Sequence, residues 1–149
     1  MRQQIVINCL HQNPSFVDGP GYRTVLFLQG CDAKCPGCHN KDTWDITKGR
    51  MVDIDDLVAD IRSICLNKKL TITGGEPLKQ SESLEILLSK LSDFDLCLYT
   101  GKELDEVPQK ILKYLKYIKT GRYVQELRTT TRPYVGSTNQ IFQEVKHNE

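Results

Sequence analysis

The chain has 149 residues, 39% apolar and 26% charged, with a net charge of +1. That profile fits a single globular domain, residues 1–149, with room for one core, and gives no case for a nucleic-acid or membrane-surface partner. The opening MRQQIVINCLHQNP has one arginine and a short apolar run broken by Asn8, so it matches neither a signal peptide nor a membrane span. A cytoplasmic protein with reduced thiols is expected.

Taken in chain order, QIVINCL (4–10) and TVLFLQ (24–29) read as strands rich in β-branched residues. NP and DGPG between them are turn signals. Next comes a cysteine-bearing loop, expected to run to about Arg50. Asp53 is a candidate cap for a helix with Ile54, Leu57, Val58, Ile61 and Ile64 or Cys65 on its apolar face. KLTIT (69–73) is a short strand broken by GGEP. Ser81 or Ser83 starts a second helix with Leu84, Leu87, Leu88 and Leu91 inward. DLCLYT (95–100) is a fourth strand, PQKILKYL (108–115) a third helix and YIK (117–119) a fifth strand. A helical turn at YVQEL and a final strand-like IFQEV complete the chain.

Strands alternating with helices predict an α/β fold with right-handed βαβ units and a mostly parallel sheet. A closed barrel of eight such units needs roughly 250 residues, so the expectation here is a partial, open barrel with a curved sheet. Ligands in such folds sit at the carboxyl ends of the strands. Three distinctive loops fall there: 30–40, 74–77 and 100–101.

The first, GCDAKCPGCHN, admits four readings. Cys35 and Cys38 form a C-x-x-C redox pair. With His39 they match a c-type haem attachment site. Cys31, Cys35 and Cys38 together suit an iron–sulfur cluster, and the three plus His39 suit zinc. The haem reading requires export, and it ignores Cys31, as the redox reading also does. Zinc sites usually draw ligands from two separated elements, and adjacent Cys38 and His39 are poorly placed to share one metal. Three thiolates hold three corners of a [4Fe–4S] cube and leave one iron open. Cys9, Cys65 and Cys97 sit in apolar runs and are expected to be core residues. In the second loop, Gly74 and Gly75 permit close backbone approach, and Glu76 can accept from an ammonium group. Together these residues suit an amino-acid-like ligand beside the cluster.

C-x₃-C-x₂-C followed by GGEP after a strand resembles the radical S-adenosylmethionine (SAM) superfamily. The resemblance implies a barrel of that type and makes Cys31, Cys35 and Cys38 the cluster ligands. It also implies that Gly74, Gly75 and Glu76 hold SAM's methionine part, with Pro77 and Thr100 in the same site. An aromatic residue often precedes the third cysteine in that family. Gly37 stands there, and His39 is expected to take over its contact with the adenine. DGPGYR (18–23), TVLFLQGC, CPGCHN, YTG (99–101) and GRYVQELR…YVGSTNQ (121–140) are similar to the activating enzymes of glycyl-radical proteins. They most resemble the branch serving an anaerobic ribonucleoside-triphosphate reductase. The implied partners are the reductase's large subunit and a low-potential electron donor such as flavodoxin. Three alternatives are an activase for another glycyl-radical enzyme such as pyruvate formate-lyase, a non-catalytic iron–sulfur or zinc module, and a thiol oxidoreductase on CPGC.

Other residues carry plainer expectations. Arg23 meets an acidic partner or solvent. Thr100-Gly101 is a turn or a SAM contact. Asn40 braces the cysteine loop, and Trp44 covers it. Lys110, Lys113, Lys116 and Lys119 form a solvated face, in preference to a docking face for an acidic partner. GSTNQ is turn-like.

Overall fold

The computed structural model describes residues 3–30 and 49–147. Among them, seven strands form one sheet: β1 (Gln4–Ser15), β2 (Arg23–Leu28), β3 (Arg50–Asp53), β4 (Lys69–Gly74), β5 (Asp95–Tyr99), β6 (Tyr117–Thr120) and β7 (Ile141–Glu144). Three helices accompany them: α1 (Ile54–Ile64), α2 (Ser81–Ser89) and α3 (Gln109–Leu112). The strand order is β3-β1-β2-β4-β5-β6-β7. β2, β4, β5 and β6 run parallel, whereas β1 pairs antiparallel with both β2 and β3, and β7 antiparallel with β6.

The fold is thus α/β, but its sheet is mixed rather than mostly parallel. Helical crossovers α1, α2 and α3 force parallel pairing only where they occur. The turn at 16–22 returns β2 beside β1, and residues 121–140 return β7 beside β6, each without such a crossover. Strand β3 fills the stretch between the loop expected to end near Arg50 and the cap at Asp53, where no element was expected. Its four residues RMVD carry only a short apolar signal, and register with β1 (Val6 opposite Met51) defines it.

The two faces of the sheet differ in kind. Side chains alternate along a strand, and one set, Ile7, Leu26, Leu28, Leu70, Ile72, Leu96, Leu98 and Ile118, packs in one cluster with the helices. From α1 come Ile54, Leu57 and Ile61, and from α2 Leu84, Leu87 and Leu88. Burying each of these aliphatic side chains contributes about 1.5–3 kcal/mol before the entropy of ordering it is offset. The opposite set, including Thr71, Thr73, Cys97, Tyr99, Lys119 and Phe142, carries hydroxyls, a thiol, aromatics and an amine.

Helix α1 begins as its sequence indicates. Asp53 Oδ1 accepts from Asp56 N at 3.1 Å, and Asp55 and Asp56 complement the dipole of the first turn. Helix α3 is shorter than expected. After Leu112 the amides of Tyr114 and Leu115 bond three residues back, and Lys116 N donates to Leu96 O, which draws the chain into β6.

Candidate cofactor site at the carboxyl rim

At the carboxyl ends of β2 and β4 the backbones close onto each other. Gly75 N donates to Leu28 O at 3.0 Å, and Glu76 N to Gly30 O at 2.8 Å. Gly74 has φ 110°, and a Cβ there would collide with the Leu28 backbone. Only glycine fits on both counts. Pro77 then starts a 3-10 turn, Pro77–Gln80, with Glu76 as its cap.

The Glu76 carboxylate ties this turn to β5. Its Oε2 accepts from Leu78 N (3.0 Å) and from the Thr100 hydroxyl (2.8 Å), and its Oε1 from Gly101 N (2.7 Å). Thr100 Oγ1 in turn accepts from Lys102 N. A carboxylate offers about four lone-pair positions, so three protein donors leave roughly one for a ligand. Glu76 is 8% exposed, so that position lies close under the surface.

The cysteine-bearing segment is rooted at the same rim. Its described neighbour on one side, Gly30, is the acceptor for Glu76 N. On the other side a Cβ on Gly49 would strike Val6 and Gln29, so the chain re-enters against β1 and the end of β2. Gln29 is buried, and its Oε1 accepts from Asn8 Nδ2. Gln80 clamps the 3-10 turn to β1 by accepting from Val6 N and donating to Val6 O, both at 2.8 Å.

The next strand end is locked by the GSTNQ stretch. Gln140 Nε2 donates to Gly121 O, and its Oε1 accepts from Gly136 N and Ser137 N. Asn139 Nδ2 donates to Arg122 O, and Ser137 Oγ accepts from Val124 N. The turn-like composition is thus a lock on the loop after β6.

At the amino end of the sheet, DGPGYR forms a second polar knot. Arg23 is 0% exposed. Its Nε donates to Thr71 Oγ1, Nη1 to Pro20 O, and Nη2 to Leu70 O, Asp95 O and Asp95 Oδ1. The Thr71 hydroxyl donates to Asp18 O at 2.6 Å. Of the two expectations for Arg23, the acidic partner is the one found. The segment 18–23 therefore belongs to the end of the sheet away from the Glu76 rim.

On the face that carries none of the described helices, two groups are shifted from their ordinary range. Burial pushes the Cys97 thiol up to about 12, and it lifts the Tyr99 phenol well above its ordinary range. Both groups stay neutral at physiological pH. Cys65 is buried in the core, with its Sγ 3.1 Å from Lys69 O. Cys9 is half-buried on β1 rather than a core residue.

Of the residues singled out from sequence, Gly74, Gly75, Glu76, Pro77 and Thr100 come together at one rim. Cys31, Cys35, Gly37, Cys38, His39, Asn40 and Trp44 lie outside the described residues. Sequence reasoning missed Gln80 and Gln140. A glutamine beside a turn carries no distinctive pattern, and each acts through a partner distant in sequence.

Residues 17–143 match the family model described as a 4Fe-4S single cluster domain. The chain is 36% identical over 134 residues to the anaerobic ribonucleoside-triphosphate reductase-activating protein of Enterobacteria phage T4, covering 84% of this chain and 85% of that one. It is 30% identical over 139 residues to the protein of the same name from Vibrio cholerae, covering 85% and 90%. Among solved structures it is similar to QueE from Escherichia coli, with a TM-score of 0.58 and 23% identity over 78% of this chain and 70% of that one. That likeness concerns the fold. On the strength of the family model and these relatives, the chain belongs to the 4Fe-4S single cluster domain family and, within it, to the anaerobic ribonucleoside-triphosphate reductase-activating proteins.

Proposed function

We propose that the chain is a radical SAM activase that installs a glycyl radical on an anaerobic ribonucleoside-triphosphate reductase. The carrying observation is that the Gly74–Thr100 site and both ends of the cysteine-bearing segment share one rim of the sheet. Cys31, Cys35 and Cys38 would hold a [4Fe–4S] cluster. Three soft thiolates in one loop fit such a cluster, and a loop with three cysteines rather than four leaves an iron for SAM.

When bound, cluster and SAM supply a 5′-deoxyadenosyl radical that takes the α-hydrogen of a backbone glycine in the partner. The chain's own part is binding and positioning. Gly74 and Gly75 let the backbone approach SAM's methionine part. Glu76 keeps one acceptor position for the ammonium, while Leu78, Thr100 and Gly101 hold its carboxylate rigid. Pro77 fixes the turn that presents it, and Gly37 and His39 would face the adenine. The three described helices pack on one face of the sheet, which leaves the other to serve as the interior of an open, partial barrel in this reading. A polypeptide loop would enter there. A low-potential donor such as flavodoxin would supply the electron, in the cytoplasm.

Anaerobic iron–sulfide reconstitution followed by electron paramagnetic resonance tests the reading. About four irons per chain, a reduced-cluster signal reshaped by SAM, and a glycyl radical on added reductase are expected. Zinc in place of iron, or a cluster indifferent to SAM, sinks it.

A further inference from the structure

The helix-free face holds one buried side-chain polar atom without a hydrogen-bond partner among the described residues, the hydroxyl of Tyr99. The residue is only 7% exposed. Its ring is held on two sides. Phe142 meets it edge-on at 6.5 Å between centroids, and Lys119 Nζ lies 4.0 Å from its centroid. Phe142 is itself packed by Tyr117 at 5.8 Å and by Tyr134 at 4.7 Å. Tyr134 adopts φ 66°, a conformation unfavourable for a bulky residue. The aromatic wall is therefore assembled at some cost, around a donor with nothing to donate to.

A phenylalanine ring would fill the same space without burying an unpaired O–H. Tyr99 also adjoins a residue of the candidate cofactor site in sequence. The next residue, Thr100, carries the hydroxyl bonded to Glu76. A glycine in a polypeptide presents no side chain, so a protein that selects one must read main-chain N–H and C=O groups. A fixed, neutral O–H donor on the wall of the barrel interior meets that requirement.

We propose that the Tyr99 hydroxyl is a positioning donor to a main-chain carbonyl of the glycine-bearing polypeptide segment that enters the helix-free face. The inference rests on the activase reading and names how that site recognises its substrate. In the free chain the hydroxyl is sealed from water, so the segment reaches it by displacing the side chains that cover it.

The test is Tyr99→Phe, with glycyl-radical yield measured against the concentration of purified reductase by electron paramagnetic resonance, alongside thermal unfolding. The half-saturating reductase concentration is expected to rise about tenfold, the loss of one hydrogen bond. The plateau should hold, and the melting temperature should equal or exceed that of the unaltered chain. An unchanged half-saturating concentration overturns the proposal. If the melting temperature also falls, the hydroxyl serves the fold, through an internal water. No glycyl radical from the unaltered pair would sink the activase reading itself, a failure visible before any variant is compared.

Discussion

The two ends of the parallel strands are each tied by one charged side chain, and the two ties differ in what they leave over. At the amino end, each nitrogen of the Arg23 guanidinium has a protein acceptor, and the group is wholly buried. At the carboxyl end, Glu76 has three protein donors and roughly one remaining lone-pair position, beside two glycines and just under the surface. The first knot is closed and structural. The second is braced yet incomplete, as the proposed SAM site requires.

The sharpest way to break this contrast is Arg23→Met. It takes the buried guanidinium away from Asp95 Oδ1 and from the Asp95, Leu70 and Pro20 carbonyls, and leaves an apolar side chain among them. Removing one partner of a buried pair costs about 3–5 kcal/mol, a large share of a small domain's stability. Urea denaturation should show a severe fall in midpoint, or no folded protein at all. Wild-type stability would show that the amino end holds by packing alone.

Gly74→Ala comes next. Its φ of 110° and the collision with the Leu28 backbone allow no relaxed alanine. The strained conformation alone costs about 1–3 kcal/mol, and relief requires β2 and β4 to part where Gly75 N meets Leu28 O. Lower stability and loss of the SAM-dependent change in the cluster's resonance signal are expected together. A stable variant that still responds to SAM would put the ligand elsewhere.

Glu76→Gln separates fold from ligand. Glutamine keeps the shape, but one oxygen becomes an NH₂, which faces a donor already aimed at that position. That mismatch costs about 1–3 kcal/mol. Loss of the charge opposite an ammonium should weaken SAM binding roughly tenfold or more, which equilibrium titration measures. Equal stability loss with unchanged affinity would make Glu76 a second closed knot.

Most of this frame is legible in the chain itself. The periodicity of Ile54, Leu57 and Ile61 marks α1, Asp53 marks its cap, and GGEP after KLTIT marks the rim. What escapes is non-local. β3 exists because Val6 lies opposite Met51, and β7 lies beside β6 because Gln140 holds Gly121. Likewise, the five donor contacts of Arg23 reach residues up to 72 positions away. Local pattern cannot rank an exposed arginine against a buried one. The glycines flanking it are a hint, since a Cβ on Gly19 would stand 2.9 Å from Arg23 Cδ.

A smaller effect lies between the knots and shows only at high pH. Cys97 ionises near 9.0 when unfolded and near 12 in the fold, because burial penalises the thiolate. A raised folded value means that the stability it contributes is complete below about pH 9 and is lost as pH rises towards 12. Cys97→Val, which removes the titrating group, should flatten alkaline unfolding curves in that window. An unaltered curve would mean that the thiol is reached by water.

The smallest effect concerns a third charged cluster, on the surface. Asp93 accepts from Arg62 at 2.8 and 3.1 Å and pairs with Lys68 at 3.0 Å, and these bonds, Arg62's foremost, hold its carboxyl well below the ordinary range. A depressed value gives stability that is present above pH 4 and lost as pH falls. The geometry is as good as that of Arg23 with Asp95, but Arg62 and Asp93 are 41% and 42% exposed, so water and salt already solvate both charges. Asp93→Asn should therefore shift the melting temperature slightly at low salt and not measurably at high salt. A loss comparable to that of Arg23→Met would mean that bond geometry sets the worth of these ties. The expected gap between the two assigns it to burial.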